Sequence, residues 1–191
     1  PHRSLRQTLR RQGEDVDKRQ KVGGAGRGVK GVSGSASIVL STGQTVAAAV
    51  AVNALGGIWD YTDGKLIAGP RRADGGFDDP VFMLLESDTN PPSGPVNTTI
   101  GLVATDAQIT KEDANYLASV SHDGLALSIR PCHTIRDGDT MFTMATGHNE
   151  SHLDLTSLGA AAVEVTAQAV LRAVRQATGL GGIPAINELE I

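Results

Sequence analysis

The sequence predicts a layered α/β fold, and three observations lead there. Aromatic residues make up only 3% of the chain while glycine occurs 23 times, so the core must come from Ala, Val, Leu and Ile packed at close backbone approach. Apolar β-rich runs are interleaved with stretches of helical spacing, the order expected of sheets covered by helices. The most regular apolar pattern, an Ala-rich helix, closes the chain. With 191 residues, 40% apolar and 20% charged, one domain with one sizeable core is expected.

Taken in order, Arg3 to Gln20 is polar and helix-compatible but lacks an apolar stripe. Lys21 to Ser37 reads as a glycine-rich loop, and "SASIVL" with "GQTVAAAVAVNALG" as two strands joined by the turn "STGQ". The second of these, Thr45 to Asn53, is apolar on both faces, which predicts a central, covered strand. Lys65 to Pro95 is dense in Gly, Pro and Asp and reads as exposed loop around a short "VFMLLE". "TTIGLVATD" from Thr98 is a strand, and Thr110 to Val120 a helix with Thr110 as N-cap and acidic Asp113 in its first turn. A crossover through "GLALSIRP", the turn "RDGD" and the strand "TMFTMATG" follow. Leu153 to Gly182 is the terminal helix with glycines past its end.

The net charge of −4 conceals an asymmetry, because Pro1 to Lys30 carries nine basic and three acidic residues. Without interleaved aromatics or a reader motif this arm is expected to be solvated, and no nucleic-acid partner is expected. No apolar run approaches the roughly 18 residues of a membrane span and no signal peptide is evident, so a cytoplasmic protein with no membrane partner is expected. The single cysteine, Cys132, excludes an intrachain disulfide.

Several motifs lose force when their context is read. "GRGVKG" fits G-x-G-x-x-G but precedes a strand and opens no helix, so it lacks the phosphate-cradle geometry. "HNESH" spaces His148 and His152 by four, yet in a loop. Cys132 and His133 are adjacent, and neighbours in an extended chain point to opposite faces, so a packed cysteine is expected. Asn97-Thr98-Thr99 satisfies N-x-T without a secretory signal beside it.

Asn97-Thr98 admits two readings. It is an ordinary junction between loop and strand, or a bond built to be cut. If cut before Thr98, the new terminus carries a hydroxyl nucleophile and an α-amine whose reference pKa of about 7.7–8.0 suits a general base. A strand start would hold that nucleophile rigidly.

"NTTIGLVATDA", then "IRPCHTIRDGDTMFTMATG", then an Ala-rich terminal helix resembles the self-processing hydrolases related to the DmpA aminopeptidase (L-aminopeptidase/D-esterase) over about Gly23 to Gly182. Within them it is most similar to the branch of 6-aminohexanoate (nylon) oligomer endohydrolases, because Thr stands at the nucleophile position and the acidic motif is Asp-Gly-Asp, where aminopeptidase members carry Ser and a Ser/Glu pair. The resemblance implies an α-β-β-α sandwich, cleavage between Asn97 and Thr98, and an N-terminal-nucleophile amide hydrolase acting on small peptides or amide oligomers. It makes Thr98 the nucleophile, and sets Asp137 and Asp139 near its amine and hydroxyl. Lys30 would support developing negative charge and the Asn53 side chain would serve an oxyanion hole. It implies no metal or organic cofactor, and a homo-oligomer of cleaved units. Residues 1–22 would be a poorly matched basic arm, with 23–97 and 98–191 the two parts of one domain divided at the cut. The resemblance also implies a chain longer at its N-terminus, with early strands and helices that complete the sandwich, so a shortened product is expected. An inactive remnant or assembly module that keeps the fold stands as the alternative.

Overall fold

The computed structural model describes residues 20–24, 27–86, 97–151 and 154–190. Its centre is a four-stranded sheet in the order β3 (Ser33–Val39), β4 (Thr45–Ala51), β7 (Ile100–Ala107) and β9 (Thr140–Asn149). β3 and β4 form a hairpin, β4 and β7 are antiparallel, and β7 and β9 are parallel. The β7–β9 crossover is long, as parallel neighbours require. It contains helix α2 (Lys111–Ser128) and the short strand β8 (Ile129–Arg130).

Helix α3 (Leu155–Arg175) covers one face of this sheet. Its Ala-rich inner side, including Leu158, Ala162, Val165, Ala169 and Val174, is buried with Val46, Ala48, Val50 and Val103. Small residues let the two layers approach closely. A Cβ at Gly34 of β3 would lie 2.1 Å from the Ala169 carbonyl oxygen and 2.5 Å from the Ala173 nitrogen. Asp154 caps the helix by accepting from the Thr156 and Ser157 amides (3.0 and 3.3 Å), and Arg172 and Arg175 occupy its last turn, where cations complement the dipole. α3 reaches the length and mean apolar content of a membrane span, but Glu164 interrupts its apolar run and most of it is buried within the fold as a core helix.

The other face of the sheet is open among the described residues. On that face Ile100, Phe142 and Met144 are each more than half exposed, beside Ala47, Ala49 and Leu102 of the same register. The expectation that Thr45–Asn53 is central holds for β4, but only one of its faces is covered. The described residues thus supply one helical and one sheet layer of the expected sandwich.

A second sheet, β6 (Lys65–Ala68), β5 (Gly57–Asp60) and β8, lies beside the first with helix α1 (Pro80–Leu85). Here the loop-rich reading of Lys65 onward is corrected, because Leu66 and Ala68 pair with Trp59 and Ile58. β1 (Lys21–Val22) and β2 (Val29–Lys30) pair within the glycine-rich loop. The α2 boundary is also corrected. "GLALS" continues the helix to Ser128, since Leu125 and Ser128 remain on its buried side. Thr110 caps it as expected, and Asp113 completes a reciprocal box by accepting from the Thr110 amide at 3.0 Å. Residues 1–19, 25–26, 87–96, 152–153 and 191, and with them most of the basic arm, most of "PPSGPVN" and His152, lie outside the described residues.

Candidate active site

β7 carries the site because the chain enters that inner strand directly from Asn97-Thr98-Thr99. β4 on one side and the start of β9 on the other fix these three residues by backbone hydrogen bonds. The Thr98 amide donates to the Asn53 carbonyl (2.8 Å), just past the end of β4. Asn97 lies parallel to Asp137, its amide donating to the Arg136 carbonyl (3.0 Å), and the Thr99 carbonyl accepts from the Thr140 amide (3.0 Å). Asn97 and Thr99 are buried.

The Asn97 carbonyl is held from two sides. It accepts from the Gly138 amide at 2.9 Å and from the Thr98 hydroxyl at 2.6 Å. A fixed backbone N–H on a carbonyl oxygen is the arrangement that stabilises an oxyanion when a nucleophile adds. Here the hydroxyl of the following residue already touches the same oxygen. Gly138 leaves little room for a side chain, since a Cβ would lie 3.0 Å from Thr98 Oγ1 and would press on it. By residue type Gly138 reads only as the middle of the turn "RDGD". Its signal was present, however, as the glycine between the two aspartates.

The aspartates flank this amide, and their carboxylates hold backbone around Thr98 rather than its hydroxyl. Asp139 accepts from the Thr99 amide through Oδ1 (2.8 Å) and from His133 Nδ1 through Oδ2 (3.0 Å). Asp137 accepts from the Leu55 amide (3.2 Å) and the Thr134 hydroxyl (2.5 Å). The segment leaving β4 therefore grips both halves of the site, Thr98 through Asn53 and the turn through Leu55.

Asn53 is brought to Thr98 through its backbone carbonyl, while its side-chain Oδ1 is buried without a hydrogen-bond partner among the described residues. Thr99 Oγ1 is likewise buried and unpartnered. Lys30 is buried, its ammonium donating to the Gln20 carbonyl (3.0 Å). The adjoining Gly31 packs on Val52, where a Cβ would lie 2.9 Å from the Val52 carbonyl, so the lysine segment runs alongside the end of β4.

The expectation that Cys132 and His133 face apart is corrected. His133 has φ 56°, the left-handed conformation, so the chain is not extended there and both side chains reach Asp139. Cys132 Sγ lies 3.4 Å from Oδ2. Burial, reinforced by the Asp139 carboxylate, pushes its thiol well above the ordinary range. His122 Nδ1 is 3.3 Å from His133 Nε2, and burial, followed by the neighbouring His133, lowers the His122 pKa.

Comparison with known proteins gives a consistent result. The sequence model of peptidase family S58 matches residues 18–186. An uncharacterized aminopeptidase of Mycobacterium leprae (strain TN) is 39% identical over 187 residues, 84% of this chain and 49% of that protein. A 6-aminohexanoate-oligomer endohydrolase of Kocuria sp. (strain KY2) is 32% identical over 144 residues, 68% of this chain and 41% of that protein. The chain spans about half the length of the curated relatives it matches. Among solved structures, the L-aminopeptidase D-Ala-esterase/amidase of Ochrobactrum anthropi, described as a variant of the Ntn hydrolase fold, superposes with a TM-score of 0.55 at 22% identity, covering 85% of this chain and 45% of that one. A protein from Pyrococcus horikoshii OT3 does so with a TM-score of 0.54 at 20% identity, covering 84% and 44%. The likeness to the Ochrobactrum anthropi structure shows a fold of the kind described there as a variant of the Ntn hydrolase fold, in line with the layered sandwich expected from the sequence.

Proposed function

The chain belongs to peptidase family S58, and from that premise we propose that it is a self-processing amide hydrolase with Thr98 as nucleophile. The observation that carries the reading is the Asn97 carbonyl, held at once by the Gly138 amide and the Thr98 hydroxyl. The hydroxyl adds to the Asn97 carbonyl carbon, and the oxygen, now an oxyanion, stays on the Gly138 N–H. Its collapse breaks the Asn97–Thr98 amide bond, with the hydroxyl proton passing to the departing nitrogen. The ester left on Oγ1 is hydrolysed by water to the Asn97 carboxylate and a free Thr98 hydroxyl.

The released α-amine, beside the Asn53 carbonyl that held it as an amide, then serves as base for its own hydroxyl. A substrate amide is attacked, an acyl-enzyme forms, and water releases the acid. Asp139 and Asp137 fix the strand start and the turn around that residue. Lys30 is assigned to support developing negative charge, and the Asn53 side-chain N–H to meet the substrate oxyanion. The substrate class supported by the relatives is short peptides or 6-aminohexanoate-type oligomers. Amine release from a panel of both, measured for wild type and Thr98→Ala, tests this. Turnover of at least one member by wild type alone is expected, and equal turnover by the variant refutes it.

The open sheet face bearing Ile100, Phe142 and Met144 favours a second reading, a non-enzymatic assembly module. That reading requires an uncut chain whose association is unchanged by Thr98→Ala.

A further inference from the structure

We propose that Cys132, His133 and Asp139 form a binding site for a thiophilic divalent ion of the zinc class, set against the strand that carries Thr98. Their ligand atoms, Cys132 Sγ, one His133 ring nitrogen and one Asp139 oxygen, all lie within 4.8 Å of one another. The close pairs are 3.0 Å between His133 Nδ1 and Asp139 Oδ2 and 3.4 Å between Cys132 Sγ and the same oxygen. Zinc bonds of about 2.0–2.3 Å in a tetrahedron put neighbouring ligand atoms roughly 3.3–3.6 Å apart, so the two pairs on Asp139 need shifts of a few tenths of an ångström, and closing the sulfur–imidazole pair from within 4.8 Å takes up to about 1 Å of side-chain movement to admit the ion. One sulfur, one imidazole and one carboxylate is a donor set that suits zinc or cobalt and does not suit magnesium or calcium.

Two further features prepare the site. His133 Nε2 lies 3.3 Å from His122 Nδ1, and a partner on the far nitrogen of a ligating imidazole fixes its tautomer and orientation. The Asp139 side chain is buried whereas that of His133 is 38% exposed, so the ion has a route in from the histidine side. Three protein ligands leave a fourth position open. On binding, the cysteine thiol gives its proton to solvent, the His133 proton moves from Nδ1 to Nε2, where His122 Nδ1 accepts it, and the ion takes the place of both protons on Oδ2.

The consequence for the site follows from Asp139. Its Oδ1 remains on the Thr99 amide, but its charge is taken up by the ion, so loading should slow self-cleavage at Thr98. That consequence rests on the proposed function, whereas the binding itself does not.

The test titrates the full chain, stripped of metal, with Co²⁺ followed by absorbance and then with Zn²⁺ in competition. One equivalent of cobalt producing a thiolate-to-cobalt charge-transfer band, displaced by zinc, is expected. Cys132→Ser should abolish the band and weaken zinc binding at least ~100-fold, and His122→Ala should weaken it about tenfold. Circular dichroism checks that the variants fold, and the wild-type spectrum decides the matter if they do not. A wild-type chain without the band, or zinc affinity unchanged in folded Cys132→Ser, overturns the site. If zinc binds as described but the chain cuts neither with nor without it, the proposed function fails and the metal site stands.

Discussion

Gly138→Ala separates the chemistry of the turn from its architecture. The added Cβ would lie 3.0 Å from Thr98 Oγ1, where an ordinary contact begins at 3.4 Å, so the hydroxyl must give by about 0.4 Å. The Gly138 N–H that meets the Asn97 carbonyl is kept, so the substitution acts on the nucleophile's position and not on the oxyanion donor. Misplacement by 1 Å costs about 10²-fold in rate, so 0.4 Å should cost roughly tenfold. Stability should hardly change, because crowding is offset by about 0.4–1 kcal/mol gained from the less flexible unfolded chain. The expected result is self-cleavage slowed about tenfold in a time course on denaturing gels, with Tm within about 3 °C of wild type. Cleavage at the wild-type rate would refute the proposed contact between Oγ1 and the Asn97 carbonyl as the reactive one.

Two further perturbations probe the scaffold. Gly34→Ala drives a Cβ to 2.1 Å from the Ala169 carbonyl and 2.5 Å from the Ala173 nitrogen, both backbone atoms of α3. The helix must move off the sheet, so a loss of about 2–3 kcal/mol, or roughly 5–10 °C in Tm by calorimetry, is expected, and an unchanged Tm would contradict the packing. Asp60 is held at about 2 by hydrogen bonds from Thr62 and by Arg175 of α3. A carboxylate lowered on folding stabilises above its unfolded value near 3.8 and loses that contribution as pH falls toward about 2. Asp60→Asn should therefore lower Tm at neutral pH and flatten its fall below about pH 4, and a parallel acid limb in both proteins would count against it.

Local rules made part of this molecule legible. The α3 pattern, the Thr110 cap and the strand after Thr98 each follow from periodicity or capping chemistry within a few residues, and each is present. What escaped depends on partners far away in sequence. Leu66 and Ala68 sit in a stretch of turn residues and become a strand only because Trp59 and Ile58 pair with them. The meeting of Cys132 and His133 on Asp139 turns on one left-handed residue that is not glycine, which no composition rule marks. The apolar pattern of β4 predicted burial on both sides. It is met on one side by α3, while the other face remains open among the described residues.

At the site itself, the sequence indicated Asn97, Thr98 and the aspartates as residue types in a pattern. It could not show that the glycine between Asp137 and Asp139 would point its amide at the Asn97 carbonyl, since that needs the parallel approach of two segments 40 residues apart. Nor did it show that Asn53 holds Thr98 by its backbone carbonyl.

The most direct test of the account is the intact mass of the purified chain after incubation under native conditions, for wild type and Thr98→Ala. The account predicts that wild type resolves into two polypeptides, residues 1–97 and 98–191, the second beginning Thr-Thr-Ile-Gly, and that the variant remains a single chain. A wild-type chain that stays whole, or one cut at any other bond, would contradict it.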